Sequence, residues 1–126
     1  MTKVTWVVLR NCNVQSSDLV ALRGMTDLAE LRISGNALTD VTELGSLTKL
    51  AVLEMKNNQV SDLSPFRNHP ALKNLWVDAN QLTSQGTAAL LDVPTLAHLS
   101  IYYNPIACND SVLDTLRARG VNVLCQ

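Results

Sequence analysis

Five segments of this 126-residue chain superimpose on one another without a gap: VTWVVLRNCNV (4–14), LAELRISGNAL (28–38), LAVLEMKNNQV (50–60), LKNLWVDANQL (72–82) and LAHLSIYYNPI (96–106). Their first residues lie 24, 22, 22 and 24 positions apart. Positions 1, 4, 6 and 11 of every segment hold Val, Leu, Ile or Met, and position 9 holds Asn36, Asn58, Asn80 and Asn104, with Cys12 in the first copy. A period of this length constrains the fold strongly. Each unit is one supersecondary piece that cannot bury its apolar face alone, so the units must stack. Positions 4 and 6 alternate around an outward position 5, which is the period of a short strand with one buried face. Leu31 and Ile33, Leu53 and Met55, Leu75 and Val77, and Leu99 and Ile101 are therefore expected to point inward. Stacked copies then build a parallel sheet at about 4.8 Å per strand. The Asn at position 9 falls where the chain turns off the strand; its amide both donates and accepts, so the four are expected to form a ladder serving unpaired backbone groups.

Each copy reads L-x-x-L-x-L-x-x-N-x-L, and this pattern resembles the leucine-rich-repeat family. The resemblance implies an α/β solenoid: a right-handed curved stack with a parallel β-sheet on the concave face and short helices and 3₁₀ turns on the convex face. Five repeats, starting near 4, 28, 50, 72 and 96, and a partial C-terminal one over about 107–126 make a single domain spanning 1–126. The two 22-residue repeats place Val41, Leu44 and Leu47, then Leu63, Phe66 and His69, at intervals of three. That spacing suits a compact 3₁₀ return and is similar to the internalin subclass. The 24-residue repeats read as more helical, with capping serines at 16–17 and at Ser84, and the last return, 109–120, has an Asn109 or Asp110 cap and Gly120 beyond it. At the C-terminus, VNVLCQ offers a last strand with either Val121 and Leu124 or Val121 and Val123 facing inward. The run NPIAC ending at Cys108, followed by Cys125, resembles the disulfide-closed ends of extracellular members; the alternative is two free thiols. Cys12 reads as a buried structural thiol.

Solenoid ends expose apolar faces, and repeat one begins at Val4 with no cap before it. Three explanations stand side by side: excision from a longer chain, association through that edge, or cover from the first return. Residues 1–10 are too short for a signal peptide, so either none is needed or it has been removed, and the compartment is left open.

Function is narrowed by composition. A net charge of −1 argues against an electrostatic nucleic-acid binder, and no run of 18 apolar residues exists to insert into a membrane. No metal-binding spacing or phosphate-cradling glycine loop is visible, so no metal or cofactor is expected. His98, with Ser100 two residues on and Asp78 one strand away, offers a weak Ser/His/Asp arrangement without an oxyanion hole, and catalysis is not expected. Leucine fills 21 positions whereas Trp, Tyr and Phe fill five together. Reading positions 3, 5, 7 and 8 across the repeats puts four of those aromatics, Trp6, Trp76, Tyr102 and Tyr103, on the open sheet face. The expectation is a protein–protein interaction module that uses this face. Its patch would centre on Trp76, Tyr102 and Tyr103, with His98, Asp78, Lys56, Glu54, Arg32, Trp6 and Arg10 around them. The alternative is a docking scaffold within a larger protein. Arg32 beside Glu54, and Lys56 beside Asp78, read as exposed lateral pairs of about 0–1 kcal/mol. The chain is expected to be a monomer or to associate weakly through its uncapped edge.

Overall fold

The computed structural model describes residues 3–126. Six three-residue strands, β1 (Trp6–Val8), β2 (Glu30–Arg32), β3 (Val52–Glu54), β4 (Asn74–Trp76), β5 (His98–Ser100) and β6 (Asn122–Leu124), form one parallel sheet in chain order. The register is constant: Val7, Leu31, Leu53, Leu75, Leu99 and Val123 lie side by side. Behind the sheet run 3₁₀ turns at Ser16–Leu22, Thr42–Ser46, Ser64–Phe66 and Ala88–Asp92, and helices α1 (Ser84–Thr87) and α2 (Ser111–Ala118). The inward residues of strands and returns form one continuous aliphatic core, with Phe66 its one fully buried aromatic. In β6 it is Val123 that packs toward this core, while Leu124 turns outward and is exposed.

The asparagines do more than cap their own turns. Asn80 Nδ2 donates to the carbonyls of Val77 and Asp78 in its own turn and to Met55 O of the preceding repeat; its Oδ1 accepts from Val60 N, also of the preceding repeat. Asn58 and Asn104 do the same for the turns before them. Asn36 serves both Cys12 N and Val14 N and reaches Leu9 O. Each amide therefore stitches its repeat to the one on its N-terminal side. In repeat one the described chain offers no earlier turn to be served, which is why Cys12 can stand in that slot. The thiol is free and exposed, rather than buried as expected, because no repeat lies on its outer side among the described residues.

Position 8 carries a second backbone demand. Asn11, Gly35, Asn57, Ala79 and Tyr103 all adopt the left-handed conformation, with φ between 53° and 72°. Glycine and asparagine tolerate it; alanine and tyrosine do so at a cost. At Gly35 a Cβ would come within 1.9 Å of Asn11 Oδ1, so a larger residue there would displace that exposed side chain.

Other local expectations are corrected. The first return is 3₁₀ throughout rather than α-helical. α1 is capped by Thr83, whose hydroxyl accepts from Gly86 N, while Ser84 instead donates to Asp110. Asp110 caps α2, and Gly120 follows its end with φ 96°. At the N-terminal edge Leu19 and Leu22 of the first return are buried, with Val7 and Leu9 partly covered against the same core; Val4, placed inward by its slot, is exposed, β1 being the edge strand among the described residues. The Cys108 and Cys125 sulfurs are bonded, tying the loop after β5 to the residue after β6.

His69 is buried within the third return. Its Nδ1 accepts from the N–H groups of Ala71 and Leu72, so the proton sits on Nε2, which donates to Leu47 O at 2.9 Å. Burial lowers its pKa below the ordinary 6.5. The unfolded chain then binds the extra proton first, so stability should fall as pH drops below 6.5. His69→Asn, whose Oδ1 replaces the Nδ1 acceptor, should flatten that slope in urea titrations run from pH 7.5 to 5. The ladder makes a second prediction. Asn80→Ala strands four buried backbone contacts and should cost about 3 kcal/mol or more, whereas Cys12→Ala should stay within about 0.5 kcal/mol by urea denaturation.

Candidate functional site

The outward residues of the sheet divide into two halves of different chemistry. Over β1–β3 they form a closed ion network. Glu54 receives Arg10 through two bonds of 2.8 and 3.1 Å, Arg32 at 3.0 Å and the Ser34 hydroxyl at 2.9 Å. Arg32 also donates to Glu30 at 2.8 Å, and Glu30 takes the Trp6 indole N–H at 3.1 Å. Arg10 thus reaches across β2 to a residue on β3, a link that spans 44 positions and that lateral pairing of neighbours does not reveal.

This half was expected to carry exposed pairs of little energetic weight. Glu54 is instead only 9% exposed, and Ser34 is buried beside it, because the arginine arms lie across them. The hydrogen bond from Arg10 dominates a set of donors that holds the Glu54 carboxyl at about 2, against an ordinary 4.5. Arg10, Arg32 and Glu54 are therefore bonded to one another across the face. Glu54→Gln should cost roughly 2–3 kcal/mol at neutral pH. Because the folded pKa is depressed, Glu54's stabilisation is complete above 4.5 and lost as pH falls toward 2; acid titration of the variant should show a flatter profile in that window.

Over β4–β6 the face is aromatic and nearly neutral. Trp76 is half-buried, with the Arg32 guanidinium 5.6 Å from its ring on the β3 side. Tyr102 and Tyr103 follow β5 with their rings 6.3 Å apart, and Tyr103 is 75% exposed. Asp78 is 7% exposed: its Oδ1 accepts from the Ser100 hydroxyl at 2.6 Å and from Tyr102 N at 2.8 Å. Its Oδ2 has no hydrogen-bond partner among the described residues, and Lys56 Nζ stands 3.8 Å away. A hollow of about 430 Å³ opens here, lined by Lys56, Trp76, Asp78, Tyr102, Tyr103 and Leu124. A second, of about 290 Å³, lies on the other side of Trp76, against Asn74, His98, Ser100 and Asn122. It holds the other buried oxygen without a partner, Asn74 Oδ1.

The aromatic cluster and the pairing of Lys56 with Asp78 were visible in the residue pattern. The burial of Asp78 and Ser100 was not, because positions 7 and 5 both face outward by alternation; at position 7 the Asp78 carboxylate accepts the next repeat's N–H, as the Ser34 hydroxyl does from Lys56 N. Trp6, on the edge strand, is 60% exposed and stands apart from the cluster. The Ser/His/Asp arrangement is not assembled: Ser100 gives its proton directly to Asp78, while His98 Nδ1 faces the Asn122 amide at 3.4 Å.

A model of paired leucine-rich repeats matches residues 26–68. No curated protein matches the chain in sequence. Among solved structures, internalin C2 from Listeria monocytogenes is 30% identical, with a TM-score of 0.73 over 83% of this chain and 45% of its own. A second internalin of that organism (inlF) is 28% identical, with a TM-score of 0.75 over 85% of this chain and 31% of its own. The chain thus spans less than half the length of these internalins. With the repeat pattern, the six-stranded parallel sheet and the 3₁₀ returns on the page, the chain is a leucine-rich-repeat protein with an internalin-like solenoid fold.

Proposed function

We propose that this domain is a non-catalytic module that binds a partner protein through the β4–β6 half of its open sheet face. One observation carries the reading: Tyr103 is a large aromatic, 75% exposed, held in a left-handed backbone conformation. Neither packing nor backbone preference favours tyrosine there. Asparagine and glycine fill the same position in three other repeats, and either suits the φ better. Tyr103 takes up this strain without being buried, which points to contacts made outside the fold. Trp76 and Tyr102 beside it supply the amphipathic rings that dominate interface energetics. The ion network over β1–β3 holds the neighbouring half of the sheet in a fixed shape, so the aromatic half is presented with little ordering cost.

Capture from a lysate of the source organism tests this. Tyr103→Asn should raise stability by a few tenths to about 1 kcal/mol while releasing the captured partner. Trp76→Ala should also release it. Unchanged capture by both variants would remove the reading, and so would a loss that only follows a fall in melting temperature.

A further inference from the structure

Two exposed large apolar side chains, Tyr103 and Leu124, border the same hollow of about 430 Å³. Trp76 and Tyr102 complete its walls, and the sheet register sets the small Ser100 between Trp76 on β4 and Leu124 on β6. Leu124 is 41% exposed on an edge strand, yet its backbone is tied on both sides. Its carbonyl accepts from Ile101 N at 2.8 Å, and the next residue, Cys125, is bonded to Cys108 in the loop after β5. The leucine is therefore held beside the rings without being packed into the core.

The polar groups of this hollow are withdrawn from a ligand's reach. Asp78 Oδ1 is taken by the Ser100 hydroxyl and Tyr102 N, and Oδ2 lies buried beneath the surface. Ser100 is 5% exposed and spends its proton on that carboxylate. What an incoming group meets is aromatic rings, the Leu124 methyls and, at the rim, the partly exposed Lys56 arm. A cation entering here loses hydration and meets a like charge. A carboxylate gains little from an ammonium that is solvated and already faces Asp78 at 3.8 Å. An aliphatic side chain gains burial against the rings and the leucine with no polar group left unpaired.

We infer that this hollow takes a bulky aliphatic side chain of the partner protein, leucine or methionine, and that Leu124 of the last strand is one of the walls that grips it. The inference rests on the partner-binding reading above; it names the anchor's chemistry and adds a contact residue from β6. A wall fixed in place by its neighbours adds little ordering cost on binding.

The probes are four capped tripeptides, Ac-Gly-Leu-Gly-NH₂ and its Ala, Glu and Lys counterparts. Each is titrated into ¹⁵N-labelled protein and followed at the Trp76 indole N–H and the Tyr103 amide. The Leu peptide should bind in the millimolar range expected of so small a ligand. The other three should bind about tenfold more weakly, the equivalent of about 1.4 kcal/mol. Leu124→Ala should remove most of that preference and Leu124→Met should keep it, both with the melting temperature of the unaltered chain, because the side chain is exposed. Equal binding of the Ala peptide, tighter binding of either charged peptide, full affinity in Leu124→Ala, or no titrating shift at Trp76 and Tyr103 overturns the inference. The broader reading is judged separately: partner capture lost in Tyr103→Asn with no preference for Leu would leave the face and refute the aliphatic anchor.

Discussion

The structure depends on how three-residue strands satisfy their backbone groups at every turn. A strand that short makes few ladder bonds, and each sharp exit leaves N–H and C=O groups facing the interior, where an unpaired group costs about 1–3 kcal/mol. One asparagine per repeat resolves this, and it does so in one direction. Asn58, Asn80 and Asn104 each bond the turn they occupy and the turn before it. The stack is therefore held by its amides as well as by its leucines. The leucines provide area without direction; the amides set the spacing between layers. This explains why an aliphatic core with one fully buried aromatic suffices, and why the first repeat tolerates cysteine.

The same economy determines what the open face has left to offer. Ser34 and Asp78 at position 7 accept backbone N–H groups of the following repeat, so side chains that alternate toward solvent still serve the framework. Glu54 draws two arginines over itself, leaving β1–β3 with charges that are already matched. At β4–β6 Asp78 Oδ1 joins Asn80 and Asn104 in serving the framework, and the Tyr103 ring is left largely exposed. A face built from equivalent positions thus carries an ion-paired half and an aromatic half.

The fold was legible in the sequence because it repeats. Five copies average out local ambiguity, and the inward residues of Leu31, Leu53, Leu75 and Leu99 follow from alternation alone. What escaped were features without a period. Arg10 reaching to Glu54 requires side-chain length and direction that slot spacing does not encode. Cys12 was assigned by its slot, while its environment is set by what lies beside the first repeat. The left-handed position 8 hid behind its variety, since Asn, Gly, Asn, Ala and Tyr share no chemistry until their φ values are seen together. At the candidate site, the aromatic cluster could be read from composition, whereas the buried carboxylate beneath it could not.

Hydrogen–deuterium exchange on the free and partner-bound protein tests the division of the face most directly. The account predicts new protection confined to the turns after β4 and β5, at residues 78–80 and 102–104, with β1 and β2 unchanged. Protection centred on β1 and β2, or on the helical returns behind the sheet, would contradict it.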